Sequence, residues 1–322
     1  MKDLPMNRRT LLAAAGLAGL LLASPAVAAE KFTVVLDWFV NPDHAPLVIA
    51  KEKGFFAAEG LDVELIEPAD PASPPRFVAA GQADAAVSYQ PSLQLAVKEG
   101  MPLVRFATLV ETPLNTLIAL ADGPVKTPKD LKGKKIGFSA EGLEDAILVQ
   151  ILESAGLKRA DVELINVNFA LTAALISKQV DAVIGGYRNF ELTEIELAGR
   201  KAVAFYPEEL GVPPYDELVL IASAKNAGDV RLGAFATAME KAAIWLTNHP
   251  AEGWESFKKA YPKLDDELNR RAFTETLPRF AKRPAALDVA RYERFGAFLK
   301  AKGLVDTLPP VETYAIVPKL PK

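Results

Sequence analysis

The sequence predicts an α/β protein of two lobes, each built on a mostly parallel sheet flanked by helices. Three observations carry that expectation. From Lys31 onward, short β-branched runs alternate with longer helical stretches, the order in which parallel strands and their crossover helices follow one another. The chain has 322 residues, of which 50% are hydrophobic and 24% charged, enough apolar material for two cores. Two turn-rich segments, Glu111-Thr112-Pro113-Leu114-Asn115 and Pro213-Pro214-Tyr215-Asp216-Glu217, lie beside strand-like runs, where a chain would cross between lobes.

Taken in order, the strand-like runs are 32–36, 62–67, 83–87, 103–109, 116–121, 135–138, 162–166, 182–184, 202–205 and 217–222. With crossovers at the two turn-rich segments, residues 30–112 and 223–322 form the first lobe and 113–222 the second. Residues 68–75 form a proline-rich loop that ends where proline favours a helix start. Beyond residue 225 the period becomes helical: Ala234, Ala238, Ala242 and Trp245 share one face, and Tyr292, Phe295, Phe298 and Leu299 another. His249, before Pro250, reads as a helix-terminus residue.

Residues 1–29 stand apart. Lys2, Arg8 and Arg9 precede an apolar run from Leu11 to Ala23, followed by small residues up to Ala28 and Ala29, the layout of an export signal cleaved near that pair. The run is shorter than the roughly 20 residues a membrane span needs. Asn7-Arg8-Arg9-Thr10-Leu11-Leu12 resembles a twin-arginine signal. A periplasmic location is therefore expected. Cysteine is absent, so neither disulfides nor a lipid-bearing cysteine is available. The formal net charge is −4, with no basic block, which disfavours nucleic acid and anionic membrane surfaces as partners. A monomer is expected.

Ligands of open α/β sheets bind beyond the carboxyl ends of the strands. The first such end reads Asp37-Trp38-Phe39-Val40-Asn41-Pro42-Asp43-His44-Ala45-Pro46, followed by Lys53-Gly54-Phe55-Phe56 and Glu59-Gly60-Leu61. Others are Ser88-Tyr89-Gln90-Pro91-Ser92, Phe138-Ser139-Ala140-Glu141-Gly142 and Gly185-Gly186-Tyr187-Arg188-Asn189-Phe190-Glu191. Trp38, Tyr89 and Tyr187 offer flat faces for stacking a heteroaromatic ring. Asp37, Asn41, Ser88, Asn115, Ser139 and Asn189 offer hydrogen bonds, although Asp37 and Asn41 would equally serve as helix caps. His44 is one of two histidines and is a contact candidate without a catalytic partner.

Together with Gly81-Gln82-Ala83-Asp84 and Leu131-Lys132-Gly133-Lys134-Lys135-Ile136-Gly137, these stretches make the chain resemble the substrate-binding proteins related to thiamine-pyrimidine synthase. The resemblance spans nearly the whole chain beyond the leader. It implies a type II periplasmic binding protein that closes on a small ligand and delivers it to an ABC permease, with no cofactor, metal or catalysis. The stretches at 37–46 and 185–191 look like the branch that binds formylaminopyrimidine, which implies Glu191 pairing with the exocyclic amine and protonated ring nitrogen of an aminopyrimidine. Glu141 would repel a phosphate, favouring an unphosphorylated ligand. Three alternatives remain: a binding protein for a sulfonate, nitrate or flavin, with Arg188 as the residue favouring an oxyanion; a pyrimidine synthase; and a purely structural or scaffolding partner. The synthase chemistry requires a lysine and a histidine where this chain has Ser88 and Ser92, and a cysteine cluster it lacks.

Overall fold

The structure is a computed structural model, which describes residues 29–140 and 142–321. The leader and Glu141 lie outside the described residues, so the signal and the phosphate-repelling role drawn for Glu141 remain expectations from sequence.

Ten strands form two five-stranded sheets. In the first lobe, β1 (Glu30–Val35), β2 (Leu61–Ile66) and β3 (Ala85–Ser88) run parallel, and β4 (Leu103–Val110) occupies an edge. The second lobe contains β5 (Asn115–Leu120), β6 (Lys135–Phe138), β7 (Glu163–Asn166), β8 (Ala182–Tyr187) and β9 (Ala202–Phe205), in the order β7-β6-β8-β5-β9. The chain then returns: β10 (Leu218–Ser223) inserts between β3 and β4 of the first sheet, antiparallel to both. Residues 218–222, assigned to the second lobe from sequence, therefore belong to the first. Periodicity locates a strand but not its partners, and β10 is buried on both faces, so its apolar run reads alike in either sheet. The sheets are also more mixed than expected, because β5 runs antiparallel to β8 and β9.

Helices α1 (Ala45–Glu52), α2 (Phe55–Ala58), α3 (Pro74–Ala79) and α4 (Gln90–Lys98) cover the first sheet, three of them with proline in the first turn, where the missing N–H costs nothing. In the second lobe α5 (Leu143–Ser154), α6 (Leu171–Ile176) and α7 (Glu191–Leu197) serve the same purpose. The tail comprises α8 (Val230–Asn248), α9 (Pro250–Ala260), α10 (Glu267–Thr276) and α11 (Val289–Ala301). Its α8 packs on α1 and α2, with the Phe235 ring 5.0 Å from Phe32 and 4.7 Å from Phe56. As expected, Ala238, Ala242, Tyr292, Phe295 and Leu299 are fully buried. His249 caps the end of α8 and stacks on Trp245. Helix α10 touches both the 42–44 turn of the first lobe and α7 of the second, so it spans the cleft.

The two crossovers are fastened to each other and to the tail. Glu217 accepts hydrogen bonds from the backbone N–H of Leu114 (2.5 Å) and Asn115 (3.0 Å). Arg291 of α11 donates to the Glu111 carbonyl and pairs with Asp216, touching both crossovers with one guanidinium. Arg105, fully buried in β4, donates to the carbonyls of Pro284 (2.9 Å) and Ala286 (2.5 Å) and to the Thr108 hydroxyl (2.7 Å). Arg105→Met removes every one of these donors and leaves buried carbonyls unpaired. It should destabilise the protein by at least about 2 kcal/mol, read as a lower urea midpoint at unchanged slope.

Candidate functional site

The strand ends converge on one cavity between the lobes. Asp37, Trp38 and His44 reach it from the segment after β1, Tyr89 from the start of α4, Ser139 from the end of β6, and Tyr187 with Glu191 from the end of β8. Why these residues arrive there is local. The β1 strand ends into a short turn at 42–44 whose cap is Asn41: its side chain accepts from Asp43 N–H (2.8 Å) and donates to the Phe39 carbonyl (3.1 Å). Asn41 borders the cavity, but its amide is committed to this turn, so the capping alternative holds.

Inside that turn, His44 is fully buried and engaged on both ring nitrogens. Nδ1 accepts from Asn41 N–H (3.3 Å), which makes Nε2 the donor to Asp37 Oδ1 at 2.8 Å in the neutral ring. The other Asp37 oxygen accepts from the Tyr89 hydroxyl (2.8 Å). His44 and Tyr89 thus hold the Asp37 carboxylate at the cavity wall.

At β8, Gly185 has φ +93°, which only glycine adopts without strain, and a Cβ on Gly186 would lie 2.6 Å from Ile118 Cδ1. Both glycines lie within β8, where its pairing with β5 shifts register and the backbone approaches Ile118 closely. The strand ends with Tyr187 at the cleft, and Glu191 follows at the start of α7. Glu191 Oε2 accepts from Tyr187 N–H at 2.6 Å. The Tyr187 hydroxyl lies 3.4 Å from Glu217 Oε1. Across the cavity, the Trp38 ring meets Phe169 of the opposite lobe edge-on at 4.7 Å, so Trp38 is a lobe-closing wall rather than a core residue of its own loop.

Three expected contacts stand elsewhere, and a fourth borders the cavity with its hydroxyl turned away. Ser88 is buried opposite Val219 inside the first sheet and does not border the cavity. Asn115 pairs with Tyr187 across β5 and β8 beneath the cavity, with its buried amide unpartnered. Asn189 is a clasp between lobes: Nδ2 donates to Asp43 Oδ1 (2.7 Å) and to Thr276 Oγ1 (2.7 Å), and Thr276 donates to the same Asp43 oxygen (2.6 Å). Ser139 borders the cavity, with its hydroxyl turned to the Asn168 carbonyl. Arg188 offers nothing to an oxyanion, because it forks onto Glu208 (2.6 and 3.0 Å) and lies over the Tyr206 ring.

Sequence reasoning missed Asp43, Phe190 and Leu171, all of which border the cavity. Asp43 sat in the quoted motif, and its place beside Asn41 and His44 in a proline-led turn was the available signal. Phe190 and Leu171 had none, since an apolar residue at a helix start reads as core.

Burial sets the electrostatics. Desolvation pushes Glu191 up to about 8, against the opposing Tyr187 N–H, and Glu217 up to about 7. It pushes Asp43 up to about 6, with the Thr276 and Asn189 hydrogen bonds pulling the other way. No lysine or arginine among the described residues borders the cavity. Among the described residues no group of side chains could hold a metal ion, and no helix is long and apolar enough to cross a membrane.

A family profile described as NMT1/THI5 like matches residues 41–253. A Haemophilus influenzae protein named for thiamine biosynthesis is 47% identical over 92% of this chain and 95% of its own. The formylaminopyrimidine-binding protein of Halalkalibacterium halodurans is 38% identical over 71% of this chain and 70% of its own. A 4-amino-5-hydroxymethyl-2-methylpyrimidine phosphate synthase of Legionella pneumophila is 27% identical over 86% and 88%. In structure, the alkanesulfonate-binding protein of Xanthomonas axonopodis superposes with a TM-score of 0.72 at 17% identity, covering 89% of this chain and 99% of that one, which establishes the shared fold.

The raised carboxylates fix a pH dependence. Between their ordinary values and the raised ones, the folded protein binds more protons than the unfolded chain, so stability falls as pH rises through that window. Ion-paired carboxylates such as Glu196 and Glu267, held below the ordinary range, are ionised in both states there and do not oppose it. With Asp43 at about 6, Glu217 at about 7 and Glu191 at about 8, the ligand-free protein should unfold at higher urea at pH 5.5 than at pH 8. Equal midpoints would show that these groups are not desolvated.

Proposed function

The chain belongs to the NMT1/THI5-like family, and from that premise we propose that it is the periplasmic solute-binding subunit of an ABC importer for an aminopyrimidine precursor of thiamine, formylaminopyrimidine or a close relative. The observation that carries the reading is Glu191: a carboxyl buried at the wall of an aromatic cavity without a neighbouring cation, tuned to about 8. A carboxyl so placed offers one proton and two acceptor oxygens to a partner with the complementary edge. The exocyclic amine and ring nitrogen of an aminopyrimidine form such an edge, and the proton can sit on either side of the pair.

Trp38, Tyr89 and Tyr187 supply apolar faces for the ring, and Asp37 a second acceptor fixed by His44 and Tyr89. Ligand bound between the lobes favours closure by its differential affinity for the closed form. The Asp43–Asn189–Thr276 clasp adds protein contacts that exist only when the lobes meet. Release to a membrane permease then requires the clasp to break, and the exported protein acts as a monomer.

An anionic solute is disfavoured by the carboxylates at the wall and by Arg188 being spent on Glu208. The synthase alternative is disfavoured by the residues in place. A Schiff base needs a lysine, whereas the matching position is Ser88, buried in β3, and the cavity wall carries no lysine. The purified protein should show no pyridoxal absorption band.

Mass spectrometry of ligand released from the purified protein should detect an aminopyrimidine; a sulfonate or another anion would overturn the proposal. Glu191→Gln should weaken binding of 4-amino-5-hydroxymethyl-2-methylpyrimidine by about 1.5–3 kcal/mol in calorimetry. Above pH about 8 the free carboxyl has lost its proton and must recover one to bind a neutral ring. Affinity should therefore drop toward tenfold per pH unit in the parent protein and not in Glu191→Gln.

A further inference from the structure

A second, open chamber adjoins the first. Trp38, Asn41, Phe190 and Glu191 border both, so the two are contiguous around the Trp38 ring. The walls of the second are unlike a solvent-filled rim. Phe39 and Phe169 join Trp38 and Phe190 there, with the Phe39 and Phe169 rings 4.4 Å apart across the lobes, and Glu194 joins Glu191. Its lining holds no lysine, arginine or histidine.

Two further side chains of the wall point to a ligand. Asn269 donates through Nδ2 to both Asp266 oxygens (3.0 Å each), which fixes its orientation and leaves Oδ1 an acceptor without a partner. The Thr172 hydroxyl is likewise unpartnered. The two residues are 3% and 7% exposed, so neither group is satisfied by bulk water. Leaving such groups unpaired costs free energy that a bound donor would recover.

Aromatic faces and carboxylates select a flat cation, and the spare acceptors select one that also carries a hydroxyl or N–H donor on a side arm. Ring faces carry negative quadrupole charge and attract a cation, more so when it is flat and can lie against them. Phe39 is 46% exposed, so part of its ring surface is open to a ligand there. We propose that this chamber is a subsite for a second, positively charged flat ring joined by a short link to the ring held at Glu191. The site then reads two-ring ligands, with the neutral or protonated pyrimidine inside and the cationic ring at the mouth. The proposal rests on the aminopyrimidine reading for the inner ring and extends it to substrate class.

Thiamine, an aminopyrimidine linked through one carbon to a thiazolium cation, is the probe, and 4-amino-5-hydroxymethyl-2-methylpyrimidine the single-ring control. By calorimetry the parent protein should bind thiamine about tenfold more tightly than the control, from cation–π and charge attraction. Phe39→Leu keeps the apolar bulk but removes the π face. It should weaken thiamine by about threefold to tenfold and leave the control unchanged. Glu194→Gln should reduce the salt dependence of thiamine binding. Thiamine binding no tighter than the control, or Phe39→Leu weakening both probes alike, would overturn the subsite. Failure of the control to bind the parent protein would instead remove the inner-ring assignment, so the two readings fail separately.

Discussion

The carboxylates Asp37, Asp43, Glu191 and Glu217 are buried where the two lobes meet, and the geometry of the cleft follows from how each is satisfied. A charge in such a place must find hydrogen-bond donors or take up a proton. Asp37 finds His44 and Tyr89, Glu217 finds two backbone N–H groups of the first crossover, and Asp43 finds a threonine and an asparagine from opposite lobes. Glu191 receives a backbone N–H from Tyr187 and is pushed furthest from its ordinary value. It is the group with most to gain from a ligand.

That division separates positioning from recognition. The His44–Asp37–Tyr89 chain pre-sets one wall before anything binds, so the cost of orienting it falls on folding. The Glu217 contacts fasten one crossover to the other. Arg291 adds the tail helix to the same joint. The Asp43–Asn189 hydrogen bond adds a further link between the lobes.

The aromatic rings meet a different constraint. Trp38 and Phe169 come from separate lobes and touch across the cleft. Apolar area at the mouth therefore favours closure as well as ligand contact, with the carboxylates opposing it through desolvation. A ligand carrying a proton or a positive charge relieves the opposing part. Substrate chemistry and lobe closure are in this way two aspects of one balance of burial against charge.

The sequence by itself determined all ten strands, the crossovers, the helical tail and most of the wall of the cavity, because strand periodicity, turn residues and the position of a strand end are local properties. Asp37, Trp38, Tyr89, Tyr187 and Glu191 were legible for the same reason: each follows a strand that must end at the cleft. Tertiary structure alone decided the rest. That β10 joins the first sheet, that Asn189 reaches across to Asp43 instead of facing the ligand, that Ser88 turns into the sheet and that Arg188 is consumed by Glu208 all depend on residues distant in the chain. Whether a polar side chain is spent or spare is set by which partners folding brings within about 3 Å, and no local pattern encodes that meeting.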